Sequence, residues 1–162
     1  MSYHANGWKG PIQLMTREEA MSYKQRVIDI DQKYDLMNSD YRCKSNVLFP
    51  VVDELTRNKV LVDEVSKIIG PNFHCWDALF WIKKAKSKSD VSFHQDSTYW
   101  NFDKPERALT VWFAFDDVTT GHGAIQYLDK ALDHAIPHVD IKTDTNLLMR
   151  GQTVTGNHSG NL

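Results

Sequence analysis

Ser92-Phe93-His94-Gln95-Asp96-Ser97-Thr98-Tyr99-Trp100 is the stretch on which the reading of this chain turns. Val91–His94 reads as a short strand, and residues two apart on a strand point to the same side. The His94 imidazole and the Asp96 carboxylate are therefore expected to reach one metal ion. A His-x-Asp pair with one remote histidine forms a facial triad on an octahedral ion. Three positions stay open, an arrangement suited to oxygen activation by Fe(II). Two of them can hold a bidentate oxoacid and the last can hold dioxygen. Taken alone, such a tripeptide is common, and a surface pair is its plainer reading. The surroundings shift that balance, because Phe93, Tyr99, Trp100, Phe102, Trp112, Phe113 and Phe115 crowd the same stretch. The plainer reading of those aromatics is core. An apolar cavity beside a few ligand-type groups is nevertheless the usual setting of a small-molecule site, and it limits side reactions of a reactive oxidant.

Outward from this stretch the texture is that of strands. Ala108–Phe115 alternates, with Leu109, Val111, Phe113 and Phe115 on one face and Thr110, Trp112 and Ala114 on the other. Phe73–Trp76 and Leu79–Ile82 are short and aromatic-rich, as strands are. Thr120-Gly121-His122-Gly123 is a turn leading into a further strand over Ala124–Leu128, and beyond Pro137 the pattern weakens.

The N-terminal part is helical in period. An irregular lead-in carries Gly7, Gly10 and Pro11. Thr16 followed by Glu19 is a capping-box signature. Ala20, Tyr23, Val27, Ile30 and Tyr34 then recur at three- and four-residue steps along one helix face. A second helical region opens at Pro50, a residue suited to the first turn. It continues through Val60, Leu61, Val65 and Ile69, with Asn58 as a break or second start, and Gly70-Pro71 stops it. Helices first and strands after favour an α+β, mainly β domain or a β-barrel with helical packing.

Composition narrows the function classes. Hydrophobic residues make up 41% and charged residues 25% of the 162, as in one packed globular domain. A net charge of -2 without a basic block argues against nucleic acid or an anionic membrane as partner. The basic run from Lys83 to Lys88 is short and reads as a solvated loop. Cys43 and Cys75 lack metal-pair spacing or a disulfide framework. No run reaches transmembrane length and no signal-peptide core is present. A reducing, cytoplasmic setting is expected.

The motif Ser92–Trp100 resembles the metal motif of the phytanoyl-CoA dioxygenase family. Leu48–Leu55 and Ile69–Asn72 resemble that family's helical N-terminal part. Leu109–Asp117 resembles the strand after the metal motif, Gly121–Gln126 the turn and next strand, and Asn146–Gln152 a segment found later in the bacterial branch. The resemblance runs in order from about Tyr41 to Gln152. It implies a double-stranded β-helix of jelly-roll or cupin type, with residues 1–72 as helical lead and 73–162 as a partial β-helix core of a single domain. It implies Fe(II), 2-oxoglutarate and dioxygen as cofactor and cosubstrates, and a small-molecule or acyl-thioester substrate. By motif match, His94 and Asp96 are the iron ligands. Trp112, Tyr99 and Trp100 are expected to face cosubstrate or substrate. Lys83, expected on the preceding strand, would offer a cation to a carboxylate or phosphate, although surface solvation is its plainer reading. The carboxylate at 96 favours hydroxylation over halogenation, since halogenating relatives replace it by a small residue.

The sequence also departs from the family. The resemblance calls for a distal histidine and, after it, an arginine whose fork holds the far carboxylate of 2-oxoglutarate. Neither element is found before Leu162. The expectation is a barrel incomplete in this chain, with the third ligand at His158, beyond Leu162 or on a partner chain. His122 stands where the family has a turn asparagine. Lys130-Ala131-Leu132 replaces its Gly-Ser-His lid. His122, His134 and His138 are read as loop histidines. The alternative is a catalytically inactive cupin-like binding module, and a further one is a cupin using another divalent metal.

Overall fold

The computed structural model describes residues 3–128, 134–148 and 150–155. The helices are α1 (Tyr3–Asn6), α2 (Arg17–Tyr34), α3 (Ser45–Leu48), α4 (Pro50–Thr56), α5 (Lys59–Ile69) and α6 (Ser97–Trp100). The strands are β1 (His138–Asp140) and β2 (Gln152–Val154), paired antiparallel with Val139 opposite Thr153. The chain divides into two compact units. One holds residues 12–82 and 113–117, and the other holds 1–11, 83–112 and 118–162.

The helical unit follows its sequence signals closely. Thr16 caps α2 by accepting from the Glu19 amide, while the Glu19 carboxylate accepts from the Thr16 amide at 2.7 Å. Two of the helix's orphan donors are thereby satisfied. Pro50 opens α4, and Asn58 is the break, its side chain capping α5 through the Leu61 amide. Gly70 ends α5 at φ +88, a backbone state that favours glycine. The core forms around Leu36, Phe49, Val51 and Val52, with Tyr23, Ile30, Tyr34, Ala78, Phe80 and Ile82 packed on it. Arg26 grips Glu54 with both terminal guanidinium nitrogens, at 2.6 and 2.7 Å, and so fastens α2 to α4.

The expected strands are the main correction. Phe73–Trp76, Leu79–Ile82, Val91–His94 and Ala108–Phe115 form no strand ladder among the described residues, and Ala124–Leu128 carries a single bridge position at Tyr127. Strand propensity measures how a side chain fits a half-buried pleated surface, and without a paired neighbour it does not build a ladder. The segment 73–82 instead lies along the helical unit through isolated bonds. The Ala78 carbonyl accepts from the Ser45 amide and hydroxyl, and Phe80 and Arg42 exchange bonds. Ala108–Phe115 is split between the units at Trp112. Phe113–Asp117 belongs with the helices because Asp116 and Asp117 pair with Lys24 and Arg17 of α2. The lead-in holds the short helix α1, and the paired strands lie beyond Pro137, where the sequence pattern is weakest.

The other unit centres on the β1–β2 ribbon. Val154 of β2 donates to the Phe93 carbonyl at 2.9 Å, and Ser92 Oγ donates to the Gln152 carbonyl at 2.6 Å. Asp90 bridges Asn146 in parallel, with amide bonds to the Thr145 carbonyl and from Leu147. These contacts seat the segment 90–93 on the ribbon, immediately before the His94–Asp96 pair.

Candidate metal centre

His94 ends the seated segment, and Asp96 immediately precedes α6 with helical backbone angles. The pair therefore stands at a junction between irregular chain and helix, and not on a strand as the sequence suggests. The two side chains nevertheless converge. His94 Nε2 lies 3.0 Å from Asp96 Oδ1. Two donors about 2.1 Å from one ion at a right angle would stand about 3.0 Å apart. The separation thus fits neighbouring positions on an octahedral cation, and imidazole with carboxylate is the donor chemistry that Fe(II) takes.

Outer contacts orient both groups. His94 Nδ1 lies 2.8 Å from the Ser92 carbonyl, which can only accept, so Nδ1 carries a proton and donates. That leaves Nε2 as the metal-facing nitrogen, the arrangement usual for ligating histidines. Nε2 in turn meets the Asp96 carboxylate. Burial alone would lower the His94 pKa, but the bonds to Asp96 and Ser92 outweigh it and raise it above its ordinary value. Burial would likewise raise the Asp96 pKa, and the bonds from His94 and Thr110 outweigh it and lower it. Thr110 Oγ1 donates to Asp96 Oδ2 in a short hydrogen bond. The carboxylate is thus held through both oxygens.

Of the sequence-selected residues, Tyr99 stands at the pair. Its ring meets the His94 ring edge-on, with centroids 5.7 Å apart. Its hydroxyl oxygen is buried near the Gln152 main chain and makes no hydrogen bond of normal geometry among the described residues. Burial raises the Tyr99 pKa, partly offset by the Arg150 guanidinium 5.4 Å over the ring. Trp100 packs on Phe102 and Trp112 is 43% exposed. Lys83 is exposed on an irregular segment, not on a strand, with its amine against the Thr120–Gly123 turn. A cleft of about 600 Å³ lies elsewhere, in the helical unit, between Asn46, Asp53, Arg57, Phe73, His74 and Cys75.

Several residues at the site were not selected from the sequence. Thr110 shares the polar face with Trp112 in the alternating run, and that alternation was the available signal. Tyr127 feels the Asp96 charge: burial raises its pKa and the carboxylate adds to the rise. Its ring stacks on Trp8 at 5.7 Å. His138 is not a loop histidine but the first residue of β1. Its Nε2 accepts from the Gln95 amide at 3.0 Å, so that nitrogen is engaged and not open to a metal. His122 stays in its turn, capped against Thr119. His158 and Lys130-Ala131-Leu132 lie outside the described residues. Among the described residues no cluster of three or more His, Cys, Asp or Glu side chains could hold a metal ion.

No helix among the described residues is long and apolar enough to cross a membrane. A family model for phytanoyl-CoA dioxygenase (PhyH) matches residues 11–130. No curated protein and no solved structure matches the chain.

Proposed function

The chain belongs to the phytanoyl-CoA dioxygenase (PhyH) family, and from that premise we propose that it is an Fe(II)- and 2-oxoglutarate-dependent oxygenase. It hydroxylates a C–H bond of a small molecule or an acyl thioester in a reducing, cytoplasmic setting. The single observation that carries this reading is the 3.0 Å approach of His94 Nε2 to Asp96 Oδ1, with both groups held from behind. Iron with 2-oxoglutarate supplies the coupling of oxoacid decarboxylation to dioxygen reduction and substrate hydroxylation. The chain's own residues supply the rest. His94 would present Nε2 to the iron, while the Ser92 carbonyl fixes its tautomer. Asp96 contributes a negative charge, and Thr110 keeps the carboxylate turned toward the imidazole. Tyr99 shields the imidazole on one side and, with Trp100, Trp112 and Lys83, is assigned to cosubstrate or substrate contact. A cupin-like barrel is the scaffold implied by the family.

A second reading is favoured by the lack of a three-residue ligand cluster among the described residues. In that reading the chain is a cupin-like binding module that holds no competent iron. One experiment separates the two. The protein, reconstituted anaerobically with Fe(II) and exposed to oxygen, should convert 2-oxoglutarate to succinate, with turnover abolished in His94→Ala and Asp96→Ala. Undiminished turnover in Asp96→Ala would overturn the site, and no turnover with no metal uptake would favour the module.

A further inference from the structure

The residue between the two proposed ligands is itself clamped. The Gln95 amide donates to His138 Nε2 at 3.0 Å. The Gln95 side chain donates to the His134 carbonyl at 3.1 Å and accepts from the Ile136 amide at 2.6 Å. A backbone amide can only donate, so His138 Nε2 is unprotonated and Nδ1 carries the hydrogen. That hydrogen points to the Ile136 carbonyl, 2.8 Å away, with the Thr98 hydroxyl farther off at 3.4 Å. His138 is thus fixed in one tautomer. It is held at the head of β1, whose register with β2 seats Phe93 on the other side of the pair.

We propose that His138 is a positioning residue for the metal centre, acting through the Gln95 amide to fix the His94–Gln95 peptide between the two ligands. Ligands two apart share the two peptide groups of Gln95. Rotation of either group would swing one side chain away from the other. The His138 bond removes that freedom on the His94 side. The Gln95 side-chain bonds tie the same residue to 134–136. This inference rests on the reading of His94 and Asp96 as ligands. It adds that the segment 134–138 holds the ligand pair from outside without entering the coordination sphere.

Two near-isosteric variants separate the ring's two bonds. His138→Gln keeps an acceptor near the Nε2 position. His138→Asn keeps a donor near Nδ1 and loses that acceptor. Each is compared with wild type by Mn(II) titration and by hydrogen exchange of the Gln95 amide in the metal-free protein. The expected result is an affinity about 10–100-fold weaker in His138→Asn, in the range found for outer partners of metal ligands. Gln95 amide protection should be lost in the same variant, and His138→Gln should stay near wild type in both measurements. Equal weakening in both variants would reduce His138 to packing, and unchanged affinity in His138→Asn would overturn the proposal. If wild-type protein takes up no Mn(II), the ligand reading fails, and amide exchange still decides the clamp. Protection unchanged in His138→Asn would then refute it.

Discussion

Replacing Thr110 by valine tests whether the Asp96 carboxylate must be oriented as well as charged. Valine keeps the branched shape and removes only the hydroxyl. In the structure Asp96 Oδ1 faces His94 Nε2 at 3.0 Å, and Oδ2 takes the Thr110 hydroxyl. Loss of that donor frees the carboxylate to turn, so Oδ1 would no longer be held beside His94 Nε2. Removing an outer partner of a metal ligand costs about 10–100-fold in affinity. The Asp96 side chain is 39% exposed, so water can take over part of the lost bond. The lower end is therefore expected, about tenfold or ~1.4 kcal/mol. Mn(II) titration followed by the resonance of the free aquo ion measures it directly. Thr110→Ser should restore wild-type affinity. The reasoning is refuted if Thr110→Val binds Mn(II) within about twofold of wild type while Asp96→Ala does not bind.

Other expectations concern the scaffold. Leu36 is fully buried against Phe49, Val51 and Val52, so Leu36→Ala should lower stability by about 2–5 kcal/mol in urea unfolding; a loss below about 1 kcal/mol would contradict the core assignment. Gly151 sits at φ +62, and a Cβ there would stand 2.7 Å from the Ile141 carbonyl oxygen. Gly151→Ala should therefore cost more than the ~1–2 kcal/mol of left-handed backbone alone, with lost amide protection at Val139 and Thr153. The Glu54 carboxyl is held below its ordinary 4.5 by the hydrogen bond from Arg26, against a smaller effect of burial. A lowered carboxyl pKa stabilises the fold above the ordinary value, and that contribution is lost as the pH falls through the folded value. The stability difference between wild type and Glu54→Gln should accordingly fade toward low pH and in high salt. A difference that persists under both conditions would exclude the ion pair as its origin.

The sequence by itself determined the helical unit and singled out His94 and Asp96 as the candidate pair. Capping residues, a proline at a first turn, a glycine stop and three-to-four periodicity are local signals, and each acts within a few residues of where it is written. Thr16, Pro50, Asn58 and Gly70 thus mark their boundaries unaided. The His-x-Asp motif is also local, and its order within the chain carries the family. Strand pairing is not local. Phe73–Ile82 and Ala108–Phe115 have strand composition, but a ladder depends on a partner that neither segment names, and the structure gives them isolated bonds in place of one. The surroundings of His94 and Asp96 depend on the same nonlocal choice. Thr110 reaches the carboxylate across fourteen positions, and His138 reaches the intervening amide across forty-three. Only tertiary structure could bring them there, because a hydrogen bond is read from distance in space and the sequence records distance along the chain.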